Sequence, residues 1–404
     1  MSSQAPYQIY LARTSYGQEE IAAVTRVLTD QPLMLVGGPS TRAFEARCAL
    51  ALGHSHAVFC NSGSSANLLA LRALDLPPGS EVITPALTFA TTVAPIVQSG
   101  LVPVLVDVAP ESCVVDMDAV ARAITPDVRA LLIPDLVGEV PDWPALRALA
   151  DAYGLLVVED GADTFGPTWE GLPTGRFADI TTTSFYASHL MTCAGTGGLV
   201  ATRDPAIAGR VRLLASWGRR SALSGESDSL EHRFFTTLDG VDYDAKYVFD
   251  ALGYNMLGSE LGAAFGLAQL ERLEAAVARR RRNVELLTAG LAPWRRWLTT
   301  PRQHAAVGTA WHAFPIWVRP EAPFGRRDLQ MFLERAGVQT RPVMAGHMGR
   351  QPALAGVRHR VAPGGTPNSD HAFTHGLMVG CHQGLGDEEI GVLLGVMEQY
   401  LRVA

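Results

Sequence analysis

Thr181-Thr182-Thr183-Ser184-Phe185-Tyr186-Ala187-Ser188-His189, followed by Gly195-Thr196-Gly197-Gly198, is the stretch on which the reading of this chain turns. A short β-prone run carries Ser184 near its end, one imidazole stands five residues on, and a Gly-rich turn comes after it. The chain has one lysine in 404 residues, Lys246, and it lies far from this loop in sequence. An imidazole moves protons near neutral pH. Unlike a lysine amine, it cannot hold an aldehyde as an imine. Whatever His189 does, it works through a proton.

Outward from that loop, strands and helices alternate. Short apolar runs occupy His56–Cys60, Glu81–Pro85, Pro103–Asp107, Ala130–Pro134, Leu155–Asp160 and Thr181–Phe185. Helical patterns such as Ser65–Leu74 and Met117–Ile124 separate them. The alternation predicts an α/β fold: a large, mostly parallel sheet with helices on both faces. In such sheets the strand ends gather along one edge, where ligands bind. Leu252 to Arg282 reads as a long helical connection. It leads into a small C-terminal α+β domain with a strand at Ala310–Val318 and helices at Arg327–Ala336 and Ile390–Leu401. The expected division is residues 1–292 for the large domain with its N-terminal segment and 293–404 for the small one.

Composition narrows the class. A chain that is 48% hydrophobic and 18% charged can bury a large core. The net charge of −7 gives no reason to expect nucleic acid or a membrane as partner. No apolar stretch reaches the roughly 18 residues of a membrane span, and the N-terminus lacks the pattern of a secretory signal. Five scattered cysteines without CxxC spacing read as buried free thiols, so the expectation is a cytoplasmic enzyme with no metal.

Two segments suggest binding chemistry on their own residues. Asn61-Ser62-Gly63-Ser64-Ser65-Ala66-Asn67 follows a strand and opens a helix, so Gly63 and Ser64 offer backbone N–H groups to an anion. A Ser-rich N-cap with no ligand reads the same way. Glu159-Asp160 closes an apolar strand, and a carboxylate there can pair with a protonated pyridine nitrogen. An ordinary strand-end acid is the plain alternative.

Together these segments resemble, in order, the cofactor site of the pyridoxal-phosphate sugar aminotransferases, which share the aspartate-aminotransferase fold, fold type I. That family reads S-F-x-x-x-K where this chain has Ser184 to His189. Histidine in place of the lysine is the mark of its nucleotide-linked 4-keto-6-deoxyhexose 3-dehydratases. Trp217-Gly218-Arg219, Tyr243-Asp244-Ala245-Lys246-Tyr247, Leu252-Gly253-Tyr254-Asn255, Thr340 to His347 and Arg350-Gln351-Pro352 resemble further segments of that subgroup. The likeness covers nearly the whole chain.

The resemblance implies a lyase that uses pyridoxamine 5′-phosphate or pyridoxal 5′-phosphate, with His189 as the proton-transfer base. Gly63, Ser64 and Ser184 would hold the phosphate, Phe89 would stack on the ring, Asp160 would meet its nitrogen and Asp163 its hydroxyl. Asn255 would reach the cofactor of a second subunit, which implies a homodimer with shared sites. Arg219, Arg341 and His347 are the candidates for substrate contact. The substrate would be a nucleotide-linked 4-keto-6-deoxy sugar that loses its C3 hydroxyl, in deoxysugar biosynthesis, with L-glutamate as amino donor.

Two departures matter. One dehydratase type carries an iron–sulfur cluster on cysteines just after the WGR segment. Arg220 to Ser227 contains none, so no cluster is expected. Leu257 and His347 stand where the subgroup has a basic residue and an asparagine. They keep another keto substrate open, such as an antibiotic or nucleoside intermediate. An aminotransferase using Lys246 and a non-catalytic homologue are the other readings.

Overall fold

The structure, a computed structural model, describes residues 7–30, 34–223 and 229–403. Ser224 to Ser227 of the cysteine-free stretch, and Met1 to Pro6 of the segment read for a signal, lie outside the described residues. The main sheet has eight strands in the order His56–Cys60, Gly198–Thr202, Ile180–Ser184, Leu156–Asp160, Val128–Pro134, Glu81–Pro85, Val102–Val106 and Arg360–Val361. Only Gly198–Thr202 runs antiparallel to its neighbours. All other pairings are parallel.

The strands are apolar on both sides because both faces are covered, and side chains alternate between them with period two. Ala130, Leu132 and Val158 point to one face, where Ala66 to Leu74 and Ile207 to Ala215 pack. Leu131, Ile133 and Val157 point to the other, under Ala119 to Ala123 and Trp143 to Ala150. The carboxyl ends of the parallel strands therefore fall together at Cys60, Pro85, Pro134, Asp160 and Ser184. Among the described residues, no helix is long and apolar enough to cross a membrane.

A second sheet of four antiparallel strands is ordered Leu298–Thr299, Phe314–Val318, Gly376–Val379, Arg341–Pro342. Helices Leu273–Leu291, Arg326–Arg335 and Asp387–Val403 close a separate core over it. Ile9, near the start of the chain, is wholly buried in that core and pairs with Val338. In return, Arg360–Val361 adds the outermost strand of the main sheet, against Val104 and Leu105.

Two expectations from sequence are corrected. Leu252 to Arg282 is not one helix: helices span Glu260–Leu270 and Leu273–Leu291, and the residues before Ser259 are extended. Tyr254 is drawn into backbone pairing, donating to Leu214 O at 2.7 Å and accepting from Trp217 N at 2.6 Å. Gly258 lies flat on the Phe59 ring, and Ser259 then caps the helix through Gly262 N at 3.0 Å. The strand read at Ala310–Val318 begins only at Phe314. Upstream of it the backbone is diverted, with His312 N donating to Val137 O at 2.9 Å and Arg280 Nη1 to Trp311 O at 2.7 Å.

Gly258 gives a direct check on this packing. A Cβ there would lie 2.2 Å from the Phe59 ring, which is itself buried. Gly258→Ala is expected to destabilise the chain by about 1–3 kcal/mol, read from the urea midpoint. An unchanged midpoint would overturn the close approach.

Candidate active site

A cavity of about 420 Å³ opens at the carboxyl edge of the main sheet. At one end, helix Gly63–Ala73 begins. Ser62 caps it, accepting from Ser65 N at 3.1 Å, and the first N–H groups of the helix remain available to an anion. Gly63 is required by its neighbour, since a Cβ there would sit 2.5 Å from Ser184 Cβ. The strand-end serine and the helix terminus thus form one cradle of hydroxyl and amide groups.

At the other end lies Asp160, buried at the end of its strand. Its Oδ2 accepts from Asn67 Nδ2 at 2.8 Å and Thr92 Oγ1 at 2.9 Å, and its Oδ1 from Ala162 N at 3.2 Å. Asn67 is in turn held by Thr182 Oγ1 at 2.5 Å. Burial raises the carboxyl's pKa, and the three donors work against that rise. Asp163 also lines the cavity and accepts from Val137 N at 2.8 Å. Burial pushes its carboxyl up to about 7. Phe89 forms a wall with 50% of its surface exposed, so it is not part of the core.

His189 faces this space from the loop after Ile180–Ser184. Its backbone N–H donates to Tyr186 O at 3.0 Å. Its ring lies 5.0 Å from that of His312, centre to centre. Nδ1 of each ring is buried without a hydrogen-bond partner. Burial, with the Arg280 guanidinium nearby, lowers the His189 imidazole to about 4, and burial, with His189 and Arg280 nearby, holds the His312 imidazole well below its ordinary value. Arg280 is buried as well. Its Nη1 donates to Trp311 O at 2.7 Å and His312 O at 3.1 Å, and its Nε to Gln383 Oε1 at 2.7 Å.

The structure brings Gly63, Ser64, Phe89, Asp160, Asp163, Ser184 and His189 to one cavity. Asn255 does not line it; the residue is exposed beside Ser216. Arg219 lies over the Trp217 and Tyr247 rings, and Arg341 is exposed and donates to Thr340 O at 2.7 Å. His347 is buried away from the cavity against Thr366 Oγ1 at 2.7 Å. Lys246 is not among the lining residues. Sequence reading missed Thr92 and His312. Thr92 carries no signal of its own, but a histidine between Trp311 and Ala313 in an apolar run does. An anion cradle, an exposed aromatic face and a buried carboxylate at the far end fit a flat ring that bears a phosphate and a basic nitrogen.

The DegT/DnrJ/EryC1/StrS aminotransferase family model matches residues 14–397. The chain is 36% identical to the dTDP-4-dehydro-2,6-dideoxy-D-glucose 3-dehydratase of Saccharopolyspora spinosa, covering 91% of this chain and 82% of that one. It is 30% identical to the dTDP-4-dehydro-2,3,6-trideoxy-D-glucose 4-aminotransferase of the same organism, covering 95% and 94%. Among solved structures, GDP-4-keto-6-deoxymannose-3-dehydratase with a trapped PLP-glutamate geminal diamine superposes with a TM-score of 0.86 at 24% identity. That match covers 96% of this chain and all of the other. At that identity it shows the fold alone: the α/β fold of type I pyridoxal-phosphate enzymes.

The depressed basicity of His189 has a sign that can be tested. Unfolded, the ring takes a proton near its ordinary 6.5; folded, only near 4. Between those values the unfolded chain binds the extra proton, so folding loses stability as pH falls. One edge of the ring faces the cavity, so the contribution is at most about 3 kcal/mol. In urea titrations across this window, wild type is expected to lose stability relative to His189→Gln as pH drops. A constant difference would show that the ring is not held neutral.

Proposed function

This chain belongs to the DegT/DnrJ/EryC1/StrS aminotransferase family, and we propose that within it the chain is a pyridoxamine-phosphate-dependent 3-dehydratase acting on a nucleotide-linked 4-keto-6-deoxy sugar. The observation that carries the reading is the position of His189. It occupies the lysine position of the cofactor loop and faces the cavity that Asp160 closes, and no lysine lines that cavity. The curated relatives named above include both a 3-dehydratase and an aminotransferase, so deoxysugar chemistry is common to them and the His189 loop argues for the first.

Bound pyridoxamine phosphate supplies the amine that condenses with the 4-keto carbon and the electron pair that replaces the departing C3 hydroxyl. Around it, the Gly63–Ser64 N–H groups and Ser184 hold the phosphate without a covalent tether. Phe89 stacks on the ring, and Asp163 meets its hydroxyl. Asp160 keeps a proton on the ring nitrogen, because a buried carboxylate prefers a cation opposite it. His189, neutral at pH 7, takes the proton from the C4′ carbon and is placed to return it to the leaving hydroxyl. L-Glutamate is the proposed amino donor that restores the amine. A geminal diamine of PLP and glutamate was trapped in the solved 3-dehydratase named above. Asn255, exposed and outside the cavity, is assigned to the site of a second copy in a homodimer.

The test is turnover of a nucleotide 4-keto-6-deoxy sugar with pyridoxamine phosphate, followed as 3-deoxy product and ammonia. His189→Asn is expected to lower the rate by about 10²–10⁴-fold, the usual contribution of a placed base, while cofactor still binds. His189→Lys is expected to fix the aldehyde form so that borohydride links it to protein, and to stop dehydration. If His189→Asn dehydrates like wild type, the histidine is not the base. In the same assay glutamate is expected to sustain repeated turnover with no iron and no reductase. Stoichiometric iron in the active protein would sink that part.

Mixing His189→Ala chains with Asn255→Ala chains is expected to restore activity, because a hybrid dimer rebuilds one intact site. No recovery despite demonstrated chain exchange would remove the shared-site assignment.

A further inference from the structure

We propose that Asp163, His189 and His312 form a divalent-cation site, suited to zinc, that the chain offers when no cofactor fills the cavity. Each side chain presents one donor atom, and these atoms all lie within 4.8 Å of one another. Among the described residues neither imidazole makes a hydrogen bond, and Nδ1 of each is buried with nothing to bond. Buried polar atoms are rarely left without a partner. Two such rings side by side point to an exogenous one. Asp163 spends Oδ2 on Val137 N and keeps its other oxygen free.

Two imidazoles and one carboxylate, with an open fourth position, make a donor set that zinc accepts. Zinc–nitrogen bonds of about 2.0–2.1 Å bring donors to roughly 3.4 Å apart in a tetrahedron. The three groups must therefore draw in by about an ångström, which side-chain rotation supplies. The backbone around them is pinned: Val137 N holds Asp163, His312 N donates to Val137 O at 2.9 Å, and His189 N donates to Tyr186 O at 3.0 Å. The donors come from three separate parts of the chain, after Leu156–Asp160, after Ile180–Ser184 and before Phe314–Val318. A bound ion would tie the two sheets together. The Arg280 guanidinium, which stands behind His312, limits affinity.

Asp163 and His189 are also assigned to the cofactor, so ion and cofactor exclude each other. The lysine-to-histidine exchange would then have a second consequence: a chain awaiting its cofactor can be blocked by zinc. Zinc binding does not depend on which reaction the enzyme performs.

The experiment titrates Zn²⁺ calorimetrically into the full chain freed of cofactor, with metal content checked by elemental analysis. Binding of about one ion per chain is expected, with loss of binding once pyridoxal phosphate is pre-bound. His312→Gln removes a ligand and is expected to weaken binding by more than the roughly 10–100-fold that losing an outer partner costs. Asp163→Asn provides a second variant if the first misfolds. Co²⁺ in place of zinc should give the visible bands of a four-coordinate ion. No stoichiometric binding overturns the proposal. So does binding that ignores both variants and the pre-bound cofactor, because the ion is then elsewhere. A chain that dehydrates but binds no zinc refutes only this site, and one that binds zinc but does not dehydrate refutes only the proposed reaction.

Discussion

The burial of Asp160 constrains the rest of the site. A carboxylate taken out of water costs several kcal/mol unless it is paired or hydrogen-bonded. Three elements answer that cost: Asn67 from the helix after the first strand, Thr92 from the helix after Glu81–Pro85, and the Ala162 amide from the turn beyond the strand itself. Each donor fixes the element that carries it. Asn67 brings the anion cradle with it, since Gly63 and Ser64 lie in the first turn of the same helix. Thr92 brings Phe89, which stands just before its helix. One carboxylate thereby sets the spacing between the two ends of the cavity and the wall between them.

The imidazole pair shows the opposite condition. Asp160 has three donors, whereas Nδ1 of His189 and of His312 has no hydrogen-bond partner, and the Arg280 guanidinium, which donates to the Trp311 and His312 carbonyls, stands nearby. Burial first, and the nearby cation second, lower the basicity of the His189 ring. The two ends of the cavity are thus unlike: a carboxyl group held by three donors at one, and two imidazoles whose basicity burial has lowered at the other.

Much of this was legible in the residues. The strands His56–Cys60 and Glu81–Pro85 fall where the apolar runs place them, because buried parallel strands leave a continuous apolar signature. The cradle and Asp160 stood out because each sits at a strand end next to a turn, and His189 because it falls on the lysine position of the family loop that this stretch resembles. The extended Leu252 to Gly258 segment was not. Its path is decided by backbone pairing with Leu214 and Trp217 and by the Phe59 ring, contacts that no local pattern encodes. His312 was hidden for a related reason. Its place beside His189 depends on Arg280 pulling the chain out of strand geometry. Arg341 and His347 were singled out by motif alone, and the fold uses the second to satisfy Thr366.

The exchange of segments between the two sheets bears on how such a chain can be made. Ile9 finds its partners only when Val338 exists, and the Val102–Val106 edge is covered only when Arg360–Val361 arrives. Both contacts span most of the chain, so neither can form until Val338 and Arg360 have left the ribosome. Until then, an apolar sheet edge stays open to other chains. The stretch from Val338 to Val361 therefore acts as a lock on Ile9 and on the Val102–Val106 edge, and a chain that stops before it leaves its largest sheet unsealed.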